Sequence, residues 1–281
     1  MPQKSIPIQV VTWNVNRRKA SVLDALKDLP QLDVLTLQEI TDDHRPDFKK
    51  YLRNRGFDCS PDSHRRTGGK DYGNLIAIGS RLTFDPNKPR YPRENLRLPE
   101  ALVQASVSVD GRAFLVISVH IPNGSGYGWK KIDTFEALND VVREAKGKAW
   151  VVAGDFNEPQ YTLQDGRIVT WGQEQDARGR FVCLKRLEDR SGICHPGKKW
   201  DSAVRWLFDE HDGHRLQHAY WQVHGHGTLA VSHVTRGQAR WFDHIFVSPD
   251  FRVEQCEYLH ELRLERYSDH SALAAKLLLR A

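Results

Sequence analysis

The feature that most constrains this chain is a series of short runs rich in Val, Ile and Leu, several of which stop at a small group of polar residues. The runs are Ile8 to Trp13, Val34 to Leu37, Leu75 to Ile78, Phe114 to Val119, Trp150 to Ala153, Ile245 to Val247 and Leu273 to Leu279. Most are too short for helices and have strand composition. Helix-like periodicity over Ala20 to Leu29 and Ile132 to Ala145 falls between them, so the class is α/β. The polar endings read WNVN at 13–16, LQE at 37–39, SVHIPNG at 118–124 and GDFN at 154–157. Ligands in α/β folds bind beyond the carboxyl ends of strands, so segments far apart in sequence are expected to pool their side chains in one cleft. WFDHIFVS at 241–248 and YSDHSAL at 267–273 add further candidates.

Because these motifs occupy both ends of the chain, cutting it would split the expected site, and residues 1–281 are read as one domain. Residues 159–238 form the least regular part, with helix-like pieces near Phe181 to Glu188 and Ala203 to Asp209, and read as loops and short elements decorating that domain. With 40% hydrophobic and 27% charged residues and no low-complexity tract, the chain has the composition of a soluble globular protein. No apolar leader and no membrane-spanning stretch is seen, so the expectation is a cytoplasmic protein, favoured as a monomer, with no membrane partner. Cys59, Cys183, Cys194 and Cys256 lack CxxC spacing, which argues against a disulfide framework and a ribbon-type zinc site.

A formal charge of +5 is mild, yet the cations cluster at Arg17–Arg18–Lys19, Arg65–Arg66, Arg90/Arg93/Arg97, Lys130–Lys131 and Lys198–Lys199. Together they favour a polyanionic partner. Phosphodiester cleavage needs a cation at the phosphoryl oxygens, an activated water, and groups that hold and protonate the reacting centre. Glu39, Asp269 and the amide of Asn14 are hard oxygen ligands suited to Mg²⁺, with Mn²⁺ as a substitute.

The ordered set WNVN, LQE, SVHIPNG, GDFN, FDHIFVS and SDH resembles the endonuclease/exonuclease/phosphatase superfamily, the deoxyribonuclease I-like fold. Each motif alone is weak, whereas six in the family's order are specific. The resemblance implies a four-layer α/β sandwich of two packed, mainly antiparallel β-sheets flanked by helices, with a metal-dependent site at one end. It implies Glu39 as principal metal ligand with Asn14 and Asp269 nearby, Asp155 to position or deprotonate water, and Asn157 on the scissile phosphate. It implies His270 on the same phosphate, oriented by Asp243, and His120 as a donor to the leaving oxygen. The usual carboxylate partner of that histidine is not evident; the expected place aligns loosely with Tyr72 or Gly73.

Other residues keep two readings. Asn123 either donates to a phosphate or belongs to an ordinary turn. Asn16 stands where relatives often have Asp, as ligand or phosphate donor. Arg17 and Arg18 either meet a nucleic-acid backbone or sit in a solvated loop. The dense histidines at 211, 214, 218, 224, 226 and 233 could be mistaken for a zinc site, which the weak helix pattern around Gly213 disfavours. The tryptophans at 171, 200, 206, 221 and 241 are read as core or loop anchors, a reading that one exposed beside the cleft would change.

The leading functional expectation is a Mg²⁺-dependent phosphodiesterase acting on nucleic acid, a DNA nuclease first. The alternatives are a phosphatase or phospholipid phosphodiesterase on the same scaffold, or a catalytically silent nucleic-acid-binding protein. RWFDHI and GDFNEP differ from the PxWCDRI and GDxNxR of inositol 5-phosphatases. LQEITDD lacks the Thr-Lys pair that follows LQE in exonuclease III-like enzymes, which weakens an abasic-site specificity.

Overall fold

A computed structural model describes residues 5–27, 29, 32–59, 72–87, 98–144, 147–209 and 215–280. Two six-stranded mixed sheets form its centre. The first runs Phe251–Leu259, Ala272–Leu279, Ile6–Asn14, Val34–Thr41, Tyr72–Gly79, Phe57–Asp58. The second runs Gln217–His218, Asp243–Val247, Trp150–Asp155, Arg112–His120, Leu102–Val109, Thr83–Phe84. Every neighbouring pair is antiparallel except one in each sheet: Ile6–Asn14 with Val34–Thr41, and Arg112–His120 with Trp150–Asp155.

Alternation along the strands explains the layers. Ile8, Val10, Val34 and Ile76 of the first sheet share one apolar cluster with Val103, Val116 and Ile245 of the second. Val11, Trp13, Leu35, Leu37 and Leu75 point the other way, onto Val22, Leu23 and Leu26 of the 3₁₀ helix Ala20–Leu26 and onto Phe48 and Leu52 of helix Arg45–Asn54. On the second sheet, helices Lys130–Glu144 and Gly197–Phe208 bring Phe135, Leu138, Val204 and Phe208 into the main cluster. The result is the four-layer α/β sandwich that the resemblance implied.

Towards one end the apolar filling between the sheets gives way to a belt of hydroxyls and an amide. Thr12, Thr36, Gln38 and Ser118 are fully buried, and the Gln38 amide donates to Thr12 Oγ1 and Ser118 Oγ, each at 3.2 Å. Satisfied buried polar groups of this kind tie the sheets together and fix their register. Just beyond the belt the two parallel pairs end, and the motif residues gather there.

The seven apolar runs all lie in strands, most of them longer than the runs themselves. Two major strands, Leu102–Val109 and Phe251–Leu259, carry no such run, because polar residues alternate with their buried ones. Ala203 to Asp209 is the end of helix Gly197–Phe208 and its cap. Phe181 to Glu188 departs from its helical expectation: Phe181–Cys183 and Leu187–Glu188 are strands of successive hairpins. Their apolar residues alternate, and the turns carry Gly179 and Gly192 at positive φ. Among the described residues no helix is long and apolar enough to cross a membrane, and all four cysteines are free.

Candidate active site

Strand register brings the motif residues together. Asn14 lies opposite Gln38 at the end of one parallel pair, and His120 opposite Asp155 at the end of the other. Asp243 begins the strand antiparallel to Trp150–Asp155 and pairs with Asp155 itself. Regular alternation would aim Gln38 and Glu39 at opposite faces. A register shift between Leu37 and Ile40, with Glu39 at φ 57°, re-aims the Glu39 carboxylate into the cleft. Asn16 (φ 45°), Arg17 (φ 57°) and Asn157 (φ 51°) are also left-handed, a conformation that costs a non-glycine residue about 1–3 kcal/mol. Gly154 (φ 152°) admits no side chain, since a Cβ would overlap the Val119 carbonyl of the neighbouring strand.

Asp155 is the hub. Its Oδ1 accepts the Asn157 N–H at 2.9 Å, and its Oδ2 accepts the amides of Asn14 (2.9 Å) and Asn157 (3.3 Å). The Asn14 amide also lies 3.5 Å from Glu39 Oε1, so one side chain bridges the two carboxylates. The Asn14 carbonyl oxygen accepts the Asn16 N–H at 2.9 Å. His120 has its Nε2 3.7 Å from Glu39 and 3.8 Å from Asp155, with its ring tilted against Tyr72 at 5.5 Å. The carboxylate neighbours that its motif did not reveal are therefore the two acids of the site. On the other side, His270 Nδ1 is 2.8 Å from Asp243 Oδ2 and His270 Nε2 is 3.9 Å from Asp155. The Asp243 backbone N–H donates to Ser232 Oγ, and Tyr258 donates its hydroxyl to the Asp243 carbonyl.

The electrostatics follow from burial and proximity. Burial raises the pKa of Asp155 despite the nearby His270 and His120. Burial alone would lower His270, but the Asp243 carboxylate, joined by Asp155 and Asp269, outweighs it and pushes the imidazole up to about 10. Burial works to raise Asp269, yet its contact with His233 and the charge of His270 hold it below the usual carboxylate range.

Two groups of potential donor atoms each lie within 4.8 Å: Asp155, Asp243 and His270; and His233, Asp269 and His270. With Glu39 and Asp155 meeting at Asn14, and one carboxylate oxygen of Asp243 buried without a partner, this end of the molecule has the acidic and imidazole groups to hold a divalent cation. The carboxylates of Glu39 and Asp155 fit a hard ion; the Asn14 amide meets them through its nitrogen, its oxygen taking the Asn16 N–H, and Asp269 is grouped with His233 and His270.

The remaining candidates lie at the rim. Arg17 is exposed, and its Nε donates to Glu39 at 3.1 Å. Arg18 faces solvent. Asn123 caps the short helix Gly124–Tyr127, accepting the Gly126 N–H at 2.8 Å, and lines the same cavity as Asn157. Its side-chain oxygen thus serves the turn, in the wall of that cavity. Arg65, Arg66, Arg90, Arg93, Arg97, His211 and His214 lie outside the described residues. Lys131, one of the clustered cations, does not face solvent. It is fully buried on the inner face of its helix, 3.1 Å from the equally buried Glu158, and donates to the Asn157 carbonyl at 2.6 Å.

Three features escaped the sequence reading. Lys131–Glu158 is one, a buried ion pair that holds the Asn157 backbone. The second is His233, whose Nε2 lies 3.4 Å from Asp269 and whose ring lies 4.3 Å from that of His270. It belongs to hairpin His233–Thr235/Gln238–Arg240, which folds back on SDH through the Ser271 N–H to Ser232 carbonyl bond of 2.7 Å. The third is Trp171, 37% exposed and lining a cavity with Asn157; Trp200, Trp221 and Trp241 are buried anchors as expected.

Comparison with known proteins agrees with this fold. The family described as Endonuclease/Exonuclease/phosphatase family matches residues 11–270. Over 173 residues the chain is 25% identical to tyrosyl-DNA phosphodiesterase 2 of Bos taurus, a match covering 58% of this chain and 43% of that protein, so the matched part spans less than half of that relative. Among solved structures, D. rerio TDP2 humanized by 14 mutations superposes with a TM-score of 0.65 at 15% identity, covering 96% of this chain and 98% of that one. An AP endonuclease from Archaeoglobus fulgidus gives 0.63 at 18% identity, covering 95% and 98%. At these identities the structural likeness speaks for the fold.

Proposed function

The chain belongs to the endonuclease/exonuclease/phosphatase family, a family of hydrolases of phosphoric esters, and on that premise we propose that it is a Mg²⁺-dependent phosphodiesterase that cleaves nucleic acid, DNA first. The observation that carries this reading is the meeting of Asp155 with Asn14, Glu39, His120 and the His270–Asp243 pair at the ends of both parallel strand pairs. The names of the relatives, a tyrosyl-DNA phosphodiesterase and an AP endonuclease, support DNA as the substrate. The exposed Arg17 and Arg18 beside the cleft support a polyanion.

In this reading Glu39, with Asn14 and Asp269, holds the cation, which when bound neutralises charge on the phosphoryl oxygens and makes water more acidic. Asp155, fixed by the Asn14 and Asn157 amides, orients the attacking water and accepts its proton. Its raised pKa brings it nearer to the range useful for a base at neutral pH. His270, kept protonated by Asp243, donates to a phosphate oxygen, and Asn157 contacts the same phosphate. His120 stands across the two carboxylates to donate to the leaving oxygen. Lys131 and Glu158 hold the Asn157 turn from below.

The test is incubation with supercoiled plasmid, single-stranded DNA, abasic duplex, RNA and a panel of phosphomonoesters, each with Mg²⁺, Mn²⁺ or EDTA. The expected result is EDTA-sensitive hydrolysis of at least one DNA substrate. Turnover confined to monoesters would make the protein a phosphatase, and no EDTA-sensitive turnover on any substrate would remove the enzymatic reading.

A further inference from the structure

Beside the proposed phosphate site lies a cavity of about 430 Å³, a volume within the range that holds small organic ligands. Asn157 and His233 line it from the site, and Trp171, Trp200, Arg240 and Phe242 from the hairpin-rich segment. Trp200 and Phe242 are 4% and 7% exposed and belong to the packing, whereas Trp171 keeps 37% of its surface open.

The backbone on both sides of Trp171 is nevertheless pinned. Thr170 is fully buried; its hydroxyl donates to Asp201 at 3.0 Å and accepts the Gly172 N–H at 3.2 Å, and Arg205 fastens Asp201 through its Nε at 2.9 Å. An indole held on a rigid turn with more than a third of its surface open is a preorganised stacking surface rather than a core residue. Arg240 completes the wall, its guanidinium carbon 5.6 Å from the Trp171 ring centroid and 5.0 Å from that of Tyr161. Its hydrogen bonds run to the neutral Gln160 carbonyl and Gln238 side chain, so its charge is not cancelled there.

The rest of the lining says what enters. Glu188 and Asp189 set two acids against Arg240, and Lys131 is matched by Glu158, so the lining carries no excess of positive charge for a second phosphate. It suits a flat, uncharged aromatic group with polar edges. The cavity shares Asn157 with the proposed phosphate site, so the two places adjoin and one substrate can span them. We propose that this is the pocket for a nucleobase adjoining the scissile phosphate, stacked on Trp171 beside Arg240. The proposal rests on the nuclease reading and specifies how its substrate is held.

The test compares binding of deoxyadenosine 5′-monophosphate and deoxyribose 5-phosphate to the full chain in Mg²⁺ by titration calorimetry, for wild type, Trp171→Ala and Trp171→Phe. Stacking on an aromatic side chain predicts that the nucleotide binds about tenfold tighter than the base-free phosphate. That advantage should vanish in Trp171→Ala and persist in Trp171→Phe. A nucleotide that binds wild type no more tightly than the sugar phosphate, or an advantage that survives Trp171→Ala, would overturn the pocket. Hydrolysis of DNA with base-independent binding would leave the nuclease reading and remove the pocket. Base-dependent, Trp171-dependent binding without EDTA-sensitive turnover of nucleic acid would do the reverse.

Discussion

The two sheets solve the same problem differently. Each places one parallel strand pair at its centre and ends that pair in polar residues, Asn14 and Glu39 in the first, His120 and Asp155 in the second. In the first sheet a bulge turns Glu39 into the cleft, its side chain 16% exposed and touching the solvent-facing Arg17. In the second, close backbone packing at Gly154 seats Asp155 at 2% exposure, where amides and histidines surround it. The difference matches the proposed roles: an acid that must exchange ligands sits on an irregular, open strand end. An acid that must keep one orientation sits on a regular, buried one.

The largest expected effect breaks that comparison on the buried side. Asp155→Ala should lower kcat by about a thousandfold or more with the circular dichroism spectrum intact, as removal of a group acting in the chemical step does. More Mg²⁺ should not rescue it. Glu39→Gln should instead raise the Mg²⁺ concentration needed for half-maximal rate and recover in part at high Mg²⁺. Metal titrations of both variants check this, and identical metal dependence would erase the proposed division of labour.

Next in size is stability. Gly154→Ala forces a Cβ into the Val119 carbonyl and should cost about 3 kcal/mol or more in urea unfolding. Glu39→Gly, which relieves a left-handed non-glycine residue, should leave stability unchanged or raise it while activity falls.

A third prediction concerns pH. His270 has a folded pKa of about 10, above the unfolded value near 6.5, so it adds stability that is complete below about pH 6.5 and is lost as pH rises through 10. The buried His244 behaves oppositely. Burial lowers it to about 4, outweighing its carbonyl contacts and Asp243, so stability is lost as pH falls from about 6.5 towards 4. Its partner His218, 2.9 Å away, is lowered in the same direction by burial and by His244. Melting temperature against pH should fall on both flanks; Asp243→Asn should flatten the alkaline flank and His244→Asn the acid flank.

The smallest effect is at the rim. Arg17→Ala with Arg18→Ala should raise KM a few-fold and reduce the salt slope of DNA binding by about one to two. An unchanged slope would make these arginines surface decoration.

The strand ends and their motifs were legible because apolar content and polar punctuation are local properties. Glu39 was legible as a residue type but not in its direction, since simple alternation sends it away from the Gln38 face and only the bulge returns it. His233 was not legible, because its partner Asp269 is reached through a hairpin whose register no periodicity announces. The burial of Lys131 was not legible, because its ion pair with Glu158 depends on how a helix seats on a distant turn. Leu102–Val109 and Phe251–Leu259 were hidden by their polar alternation, and Phe181–Cys183 looked helical because short apolar spacings do not distinguish a hairpin from one helical turn.

The pairing of Ile6–Asn14 with Ala272–Leu279 has a consequence for biosynthesis. A ribosome delivers Asn14 and Glu39 early, but the strand that carries Asn14 waits with one edge open until residues 272–279 leave the exit tunnel. Asp269 and His270 arrive in that same late stretch. The residues of the candidate site therefore come together only after Ala272–Leu279 has been made, and a chain cut short of that strand leaves Ile6–Asn14 with an unpaired edge.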